Sequence, residues 1–321
     1  MTGSQLPLPA ATRLVEVGLR DGLQTVEQIV DTADKVAVAR ALIDAGVTEI
    51  EAVSFAHPRV LPQFADAAEV MAQVPRVDGV RYRGLVPNVR GAERAADCGL
   101  DGMVALACAD EGVARINQNS TVADILAGLP AIGQIADRAG AEYIVGVAMA
   151  FFAPGRGLTP EADRMRCVDA AVDADAHGVY LACSTGMEDP RQVHDAVCTV
   201  KQRHPGLAVG VHLHARNGMA TATALAALLA GADWLEGAFG GLGGDLWAPG
   251  APEVLGNAPF EDLVHLTASM GIETGIDLTR YLRVVRQIEK LTGWTPLSAV
   301  VAGGTREELA AHRWPTSQPT E

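Results

Sequence analysis

The sequence predicts an α/β chain folded as a (β/α)8 TIM barrel, with extra C-terminal helices after the last strand. Three observations point there. A short phrase recurs in which a glycine closes one segment just before an apolar run: Ala45-Gly46, Cys98-Gly99, Ala139-Gly140, His177-Gly178 and Ala230-Gly231. Glycine just past a helix closes the last turn in the left-handed region, so each phrase marks a helix handing over to a strand. Apolar runs alternate with stretches of helical spacing, the pattern of a parallel sheet covered by helices. The length, 321 residues, suits one such barrel.

The first strand is expected at residues 13–18 and runs into Arg20-Asp21. A helix at 32–45 follows, where Val36, Ala39 and Ile43 recur at helical spacing. The second strand is expected at 49–55. The long interval from Gly46 to Gly99 leaves room for a third at 81–86. The fourth, fifth and sixth fall at 103–107, 143–150 and 179–183. The interval from Gly178 to Gly231 holds a seventh at 208–214, and the eighth is placed at 234–239. A doubly wound open sheet is the competing architecture, but no G-x-G-x-x-G follows the first strand. Helical stretches at 263–270 and 278–291 exceed what closing a barrel requires and are expected to pack against one end. The division is an N-terminal extension (1–12), the barrel with its C-terminal helices (13–300), and a flexible tail (301–321).

Hydrophobic residues make up 49% and charged ones 20%, enough apolar surface for a sizeable core. A formal charge of −14 argues against nonspecific nucleic-acid binding, which needs surplus Lys and Arg to neutralise phosphates. The five cysteines are an odd number without C-x-x-C, which indicates free thiols in a reducing compartment, the cytoplasm. No secretory signal is recognised at the start. No apolar run is long enough to span a bilayer, so no membrane association is expected.

Barrel enzymes carry their chemistry where strands end and helix-bound loops begin. Arg20 and Asp21 follow the first strand, Glu51 lies on the second, and His212-Leu213-His214 ends the seventh. Side chains two apart on a strand share a face, so both imidazoles can grip one ion. Asn257 falls in the long loop after the eighth strand. One carboxylate, two imidazoles and an amide oxygen suit a divalent ion of the Mg²⁺ or Mn²⁺ kind, and Zn²⁺ also accepts a His₂-carboxylate set. Taken singly, an H-x-H is often incidental and Arg20-Asp21 can be a surface ion pair. Their joint placement on strand ends favours a metal-dependent enzyme.

The motifs Val17-Gly18-Leu19-Arg20-Asp21-Gly22-Leu23-Gln24, Ile50-Glu51-Ala52-Val53-Ser54-Phe55, Leu85-Val86-Pro87-Asn88, His212-Leu213-His214 and Gly241-Leu242-Gly243-Gly244 stand in order along the chain. Together they resemble the 3-hydroxy-3-methylglutaryl-CoA lyases. These belong to the DRE-TIM metallolyases, the metal-dependent barrel superfamily that also contains isopropylmalate and homocitrate synthases. The resemblance implies Asp21, His212, His214 and Asn257 as metal ligands. It implies Arg20 as stabiliser of the enolate formed on carbon–carbon cleavage, Glu51 as its support, and Gln24 as part of the substrate site. The implied activity is a lyase acting on a 3-hydroxy-acyl-CoA or a related hydroxy acid. The small-molecule partner would be an acyl-CoA thioester, and a homodimer could pair through the C-terminal helices. A Claisen-type acyltransferase of the isopropylmalate synthase kind and a catalytically silent metabolite-binding barrel are the alternatives.

The departures bear on proton handling. The lyases have a cysteine after the Gly-Leu-Gly-Gly run, where this chain has Asp245. They have an aspartate before the threonine at the end of the sixth strand, where this chain reads Cys183-Ser184-Thr185. Ala215 and Arg216 replace an aspartate and a threonine after the histidines, and Leu19 stands where the lyases usually have proline. Asp245 is either the acid/base of an altered relay or a solvated loop residue. Arg216 either meets a substrate carboxylate or braces a neighbouring acidic group. Arg156, in Pro154-Gly155-Arg156-Gly157, is a candidate donor to the phosphates of CoA, although a turn explains its neighbours equally well. Arg115, Asn117 and Asn119 form a polar cluster expected at the barrel mouth.

Overall fold

Eight parallel strands close into a ring in the computed structural model, which describes residues 6–244 and 256–313. They are β1 (Arg13–Glu16), β2 (Glu49–Ser54), β3 (Arg81–Leu85), β4 (Gly102–Cys108), β5 (Glu142–Ala148), β6 (Gly178–Cys183), β7 (Ala208–Leu213) and β8 (Trp234–Gly237). Each strand pairs with its sequence neighbours, and β8 returns to β1 in register from Arg13↔Trp234 to Glu16↔Gly237. The (β/α)8 barrel expected from the sequence is the fold observed.

The surrounding helices are α1 (Thr32–Asp44), α2 (Ala67–Gln73), α3 (Val89–Ala95), α4 (Glu111–Gln118), α5 (Val122–Ala139), α6 (Glu161–Asp173), α7 (Pro190–Arg203), α8 (Ala220–Leu229) and α9 (Phe260–Ser269). Side-chain oxygens of Asn88, Asp110, Thr121 and Asp189 accept the otherwise orphaned N–H groups at four helix starts. Four of the handover glycines, Gly46, Gly99, Gly140 and Gly231, have positive φ as expected. Gly178 does not. It opens β6, and Asp175 takes the left-handed position instead. In α1 the buried face is Lys35, Val38, Ala39 and Leu42, so Val36 and Ile43 lie at its margin. The Lys35 ammonium is buried against Asp66 at 2.7 Å, which is why a lysine can sit on the inward face.

Apolar side chains between sheet and helices form the larger core, and a smaller one fills the barrel lumen. Trp234 blocks the lower lumen, flanked by the guanidinium groups of Arg13 and Arg83 at 5.3 and 5.2 Å from its ring. Arg83 also meets Glu49 at 2.7 Å and Glu236 at 3.5 Å. A Cβ on Gly210 would stand 2.0 Å from the Trp234 ring, and one on Gly146 would stand 2.2 Å from Tyr180. Glycine at those two strand positions makes room for the lumen aromatics. The barrel is therefore packed below and open only at the strands' C-terminal ends.

Strand ends depart from the sequence reading where the chain turns toward the mouth. β1 stops at Glu16, and residues Gly18–Gly22 form one π-helical turn. The N–H groups of Arg20, Asp21 and Gly22 all point at the Val17 carbonyl, at 3.1, 2.7 and 3.3 Å. β5 stops at Ala148 because Met149 turns left-handed at φ 54°. A small hairpin not foreseen follows, Phe152–Ala153 pairing with Gly157–Leu158. β8 gives way to a 3₁₀ turn at Phe239–Gly241. Helix α10 (Leu278–Thr292) packs along α1, and the chain then returns to that turn. Leu297 N–H and Trp294 Nε1–H both donate to the Gly240 carbonyl, at 2.9 and 3.2 Å. The additional C-terminal segment thus flanks the barrel and braces its mouth. Two short helices, α11 (Ala299–Gly303) and α12 (Arg306–Ala311), occupy the start of the stretch assigned to a tail; Thr305 and Glu308 form a capping box on α12. No disulfide joins the cysteines among the described residues, and no helix among them is long and apolar enough to cross a membrane.

Candidate active site

The open end of the barrel holds a cavity of about 290 Å³. Arg20, Asp21, Gln24, His212 and His214 line it with polar groups, and Leu85, Leu106, Val113, Met149 and Ala182 add apolar surface, Ala182 lying beside His212 in the β6–β7 register. The π-turn swings Arg20 and Asp21 inward from β1, and the end of β7 presents both histidines.

Asp21, His212 and His214 converge, with one ligand-type atom of each lying within 4.8 Å of the others. The two Nε2 atoms stand 3.1 Å apart, and His214 Nε2 is 3.9 Å from Asp21 Oδ2. All three side chains are buried. Glu236 is the partner that orients the set. It lies opposite His212 in the β8–β7 register and meets its Nδ1 at 3.1 Å. With Nδ1–H given to that carboxylate, His212 Nε2 presents its lone pair to the mouth, as carboxylate–histidine–metal arrangements require. Trp234 Nε1–H donates to the other Glu236 oxygen at 2.8 Å and fixes it in turn.

Asn257 arrives from the far side of the loop after β8 and bridges to His214. Its amide nitrogen donates to Asp21 Oδ2 at 2.7 Å and to the Leu242 carbonyl at 3.0 Å. Its Oδ1 is buried and takes no hydrogen bond among the described residues. An uncompensated buried amide oxygen beside two imidazoles and a carboxylate is a donor set that fits a divalent cation. Gln24 donates to Asp21 Oδ1 at 2.9 Å and to the Gly244 carbonyl at 3.4 Å, so it steadies the carboxylate as well as lining the cavity.

Arg20 is held on two sides, by Glu51 through Nε and by Asp21 through Nη1. Burial works against its charge, but Glu51 and Asp21 keep it firmly protonated. Burial alone would raise the Asp21 carboxyl. Arg20, both histidines and the Asn257 amide bring it down to about 2. Burial, with His212 adding to it, takes His214 down to about 4, so its ring is neutral at pH 7. His212 feels the same burial, yet its bond to Glu236 raises it above the usual histidine value. Burial lifts Glu51 above the ordinary carboxylate range even though Arg20 opposes the change. A neutral ring beside an ionised carboxylate is what a cation needs from its ligands.

Two sequence candidates stand apart from this cluster, and a third cannot be placed against it. Arg156 caps the small hairpin and is engaged by Asp110 at 3.4 Å and Asp163 at 2.5 Å, outside the cavity wall. Arg216 is exposed and does not line the cavity. Asp245 lies outside the described residues. Of the expected polar cluster Asn117 reaches the wall, whereas Arg115 pairs with Glu111 and Asn119 ends α4 in the left-handed region. Glu236 and Met149 were not foreseen. Glu236 had a signal, as the acidic residue on the neighbouring strand at the level of His212. Met149 reads in sequence as one more strand residue.

A family model described as HMGL-like matches residues 11–288. The chain belongs to the HMGL-like family. It is accordingly an enzyme of the carbon–carbon lyase class, a metallolyase-type TIM barrel. An (R)-citramalyl-CoA lyase of Chloroflexus aurantiacus is 35% identical over 91% of this chain and 94% of its own length. A hydroxymethylglutaryl-CoA lyase of Bacillus subtilis is 31% identical over 90% and 95%. The solved structure of an HMG-CoA lyase from Acinetobacter baumannii, in complex with coenzyme A and 3-methylmalate, superposes with a TM-score of 0.89. It shares 31% identity and covers 95% of this chain and 98% of that one.

Proposed function

We propose that this lyase cleaves a 3-hydroxyacyl-CoA, with Asp21, His212, His214 and Asn257 holding one divalent cation and Arg20 stabilising the enolate. The convergence of the Asp21 and histidine ligand atoms at the barrel mouth carries the proposal. A donor set of one carboxylate, one amide oxygen and two imidazoles would suit Mg²⁺ or Mn²⁺, with Zn²⁺ the alternative for a His₂-carboxylate set.

When bound, the cation supplies Lewis acidity toward the substrate oxygens. The hydroxyl at C3 loses its proton to a base and becomes a carbonyl as the C2–C3 bond breaks. The bonding pair moves onto C2 and spreads onto the thioester oxygen, which then carries the developing charge. Arg20 faces the cavity with a charge fixed by Glu51 and Asp21 and costs no reorganisation as that oxygen becomes negative. Protonation at C2 completes the cleavage, and Asp245, next to Gly244 in sequence, is assigned the acid/base role from its position after the glycine run. Leu85, Leu106, Met149 and Ala182 contribute apolar surface to the cavity that would limit water at the reacting carbon. Cysteines without a disulfide among the described residues suit a reducing cytoplasm.

A panel of 3-hydroxyacyl-CoA thioesters, assayed with and without Mn²⁺, tests the proposal. Metal-dependent release of a shorter acyl-CoA and a carbonyl product is expected. Condensation of acetyl-CoA with a 2-oxo acid, read as free thiol without any cleavage, would reassign the direction, and full cleavage in metal-free protein would overturn the site.

A further inference from the structure

The deep end of the cavity is closed by a ring that the chemistry above does not use. Tyr180, on β6, lines the cavity although only 2% of it is exposed. It stands two residues before Ala182, which lies beside His212 in the β6–β7 register, so it enters the lumen one step below the level of that histidine. The Tyr180 and His212 rings are 5.7 Å apart between centres, tilted by 35°. From β6 the tyrosine leans over the next strand. Gly146 is its register partner on β5, and a Cβ there would stand 2.2 Å from the ring and 2.4 Å from the hydroxyl oxygen. Leu106, another lining residue, lies beside Gly146 on β4.

Trp234 shares the lumen core with Tyr180 but is not among the residues that line the cavity. Its ring covers Gly210 on β7 and reaches Gly178 on β6, where a Cβ would stand 3.1 Å away. The two aromatics thus tile the lumen over glycines, and Tyr180 is the one of the pair that meets the cavity. Closely packed interiors yield little to an intruding group. The Tyr180 ring therefore sets the depth of the cavity.

Coenzyme A carries phosphates, whose burial without partners is costly, so it stays at the open mouth and the acyl end points inward. With the C3 oxygen at the Asp21 and histidine cluster and the thioester oxygen at Arg20, the part left to reach downward is the substituent on C3. That substituent meets Tyr180. We propose that, given the acyl-CoA reading above, Tyr180 fixes substrate length, admitting 3-hydroxyacyl-CoA thioesters with a short C3 substituent and turning away longer ones. One carbon more or less in a fitted apolar pocket changes discrimination by about 10- to 200-fold, so a rigid floor gives a sharp cut-off.

A ladder of 3-hydroxyacyl-CoA thioesters, with C3 substituents from methyl to pentyl, tests this in the full chain with Mn²⁺. In the unaltered protein kcat/KM should fall by roughly tenfold or more for each carbon beyond the longest that fits. Tyr180→Ala should move the optimum to longer substituents. Tyr180→Phe keeps the ring and should keep the unaltered order of preference. An Ala variant with the unaltered order, or a Phe variant with the order of the Ala variant, would overturn the proposal. If the Ala variant fails to fold, Tyr180→Leu decides, because its shorter side chain should shift the optimum in the same direction. If no thioester is cleaved, it is the lyase reading that fails. Calorimetric binding of the matching saturated acyl-CoA thioesters to the metal-free proteins should then follow the same orders, and a flat series would overturn the floor as well.

Discussion

Arg20 is locked so tightly between Glu51 and Asp21 that its guanidinium can serve only charge that develops within the cavity it faces. Arg20→Gln should lower kcat and kcat/KM together, by about 10² to 10³, because the interaction forms chiefly as the thioester oxygen becomes negative. Steady-state kinetics on a cleaved acyl-CoA would show this, and a change confined to KM would place the residue in ground-state binding. Glu236 reaches the metal-ligand set through His212, while its other oxygen faces Trp234 and Arg83. Glu236→Gln should weaken Mn²⁺ binding by about 10- to 100-fold while leaving the barrel intact, measurable by titration followed with electron paramagnetic resonance. Asp21, His212 and His214 could be found from sequence because strand periodicity says where a strand ends and which side chains share a face. Glu236 could not, since its role depends on which residue of β8 lies beside His212, and register is a property of the closed sheet. Lys35 escaped for a similar reason: its charge reads as surface until the fold brings the Asp66 carboxylate over it.

Turns and strands obey tighter steric rules than composition conveys. The handover glycines announced four helix-to-strand junctions correctly because positive φ is nearly a glycine monopoly. At the fifth, Asp175 accepts that conformation and Gly178 serves the strand, a substitution of roles that no spacing reveals. The π-turn was also hidden, because its residues read as an ordinary strand end, and only the three N–H groups gathered on the Val17 carbonyl define it. Gly210 follows the lumen rather than a turn. Gly210→Ala would drive a methyl into the Trp234 ring and should destabilise the barrel by about 1–3 kcal/mol, read as a lower urea midpoint. An unchanged midpoint would mean that Trp234 can move aside.

Taken as one molecule, the barrel couples its chemistry to its stability through buried charge. Glu16 and Glu261 are raised from 4.5 to about 8 and about 7, so the folded chain holds protons the unfolded chain has released. Their contribution is full below the unfolded value, declines as pH rises, and is gone above about 8. Asp21, lowered from 3.8 to about 2, works oppositely, and its contribution disappears as pH falls through that interval. Metal-free protein should thus show its highest urea midpoint near mild acidity and lose stability toward pH 8, with a shallower decline in Glu261→Gln. A midpoint rising over that interval would contradict the burial of the two acids. The fold as a whole was readable because alternation and glycine punctuation repeat along the entire length. The cavity's apolar lining was not, since Leu85, Leu106 and Met149 come from three strand regions brought together only by ring closure.

The most direct test is the binding of Mn²⁺ to the metal-free chain, counted by equilibrium dialysis. One ion per chain should bind, and Asp21→Asn, His212→Ala and His214→Ala should each abolish or sharply weaken that binding. A chain that takes up no ion, or whose three variants bind as well as the parent, would contradict a shared cation at the barrel mouth.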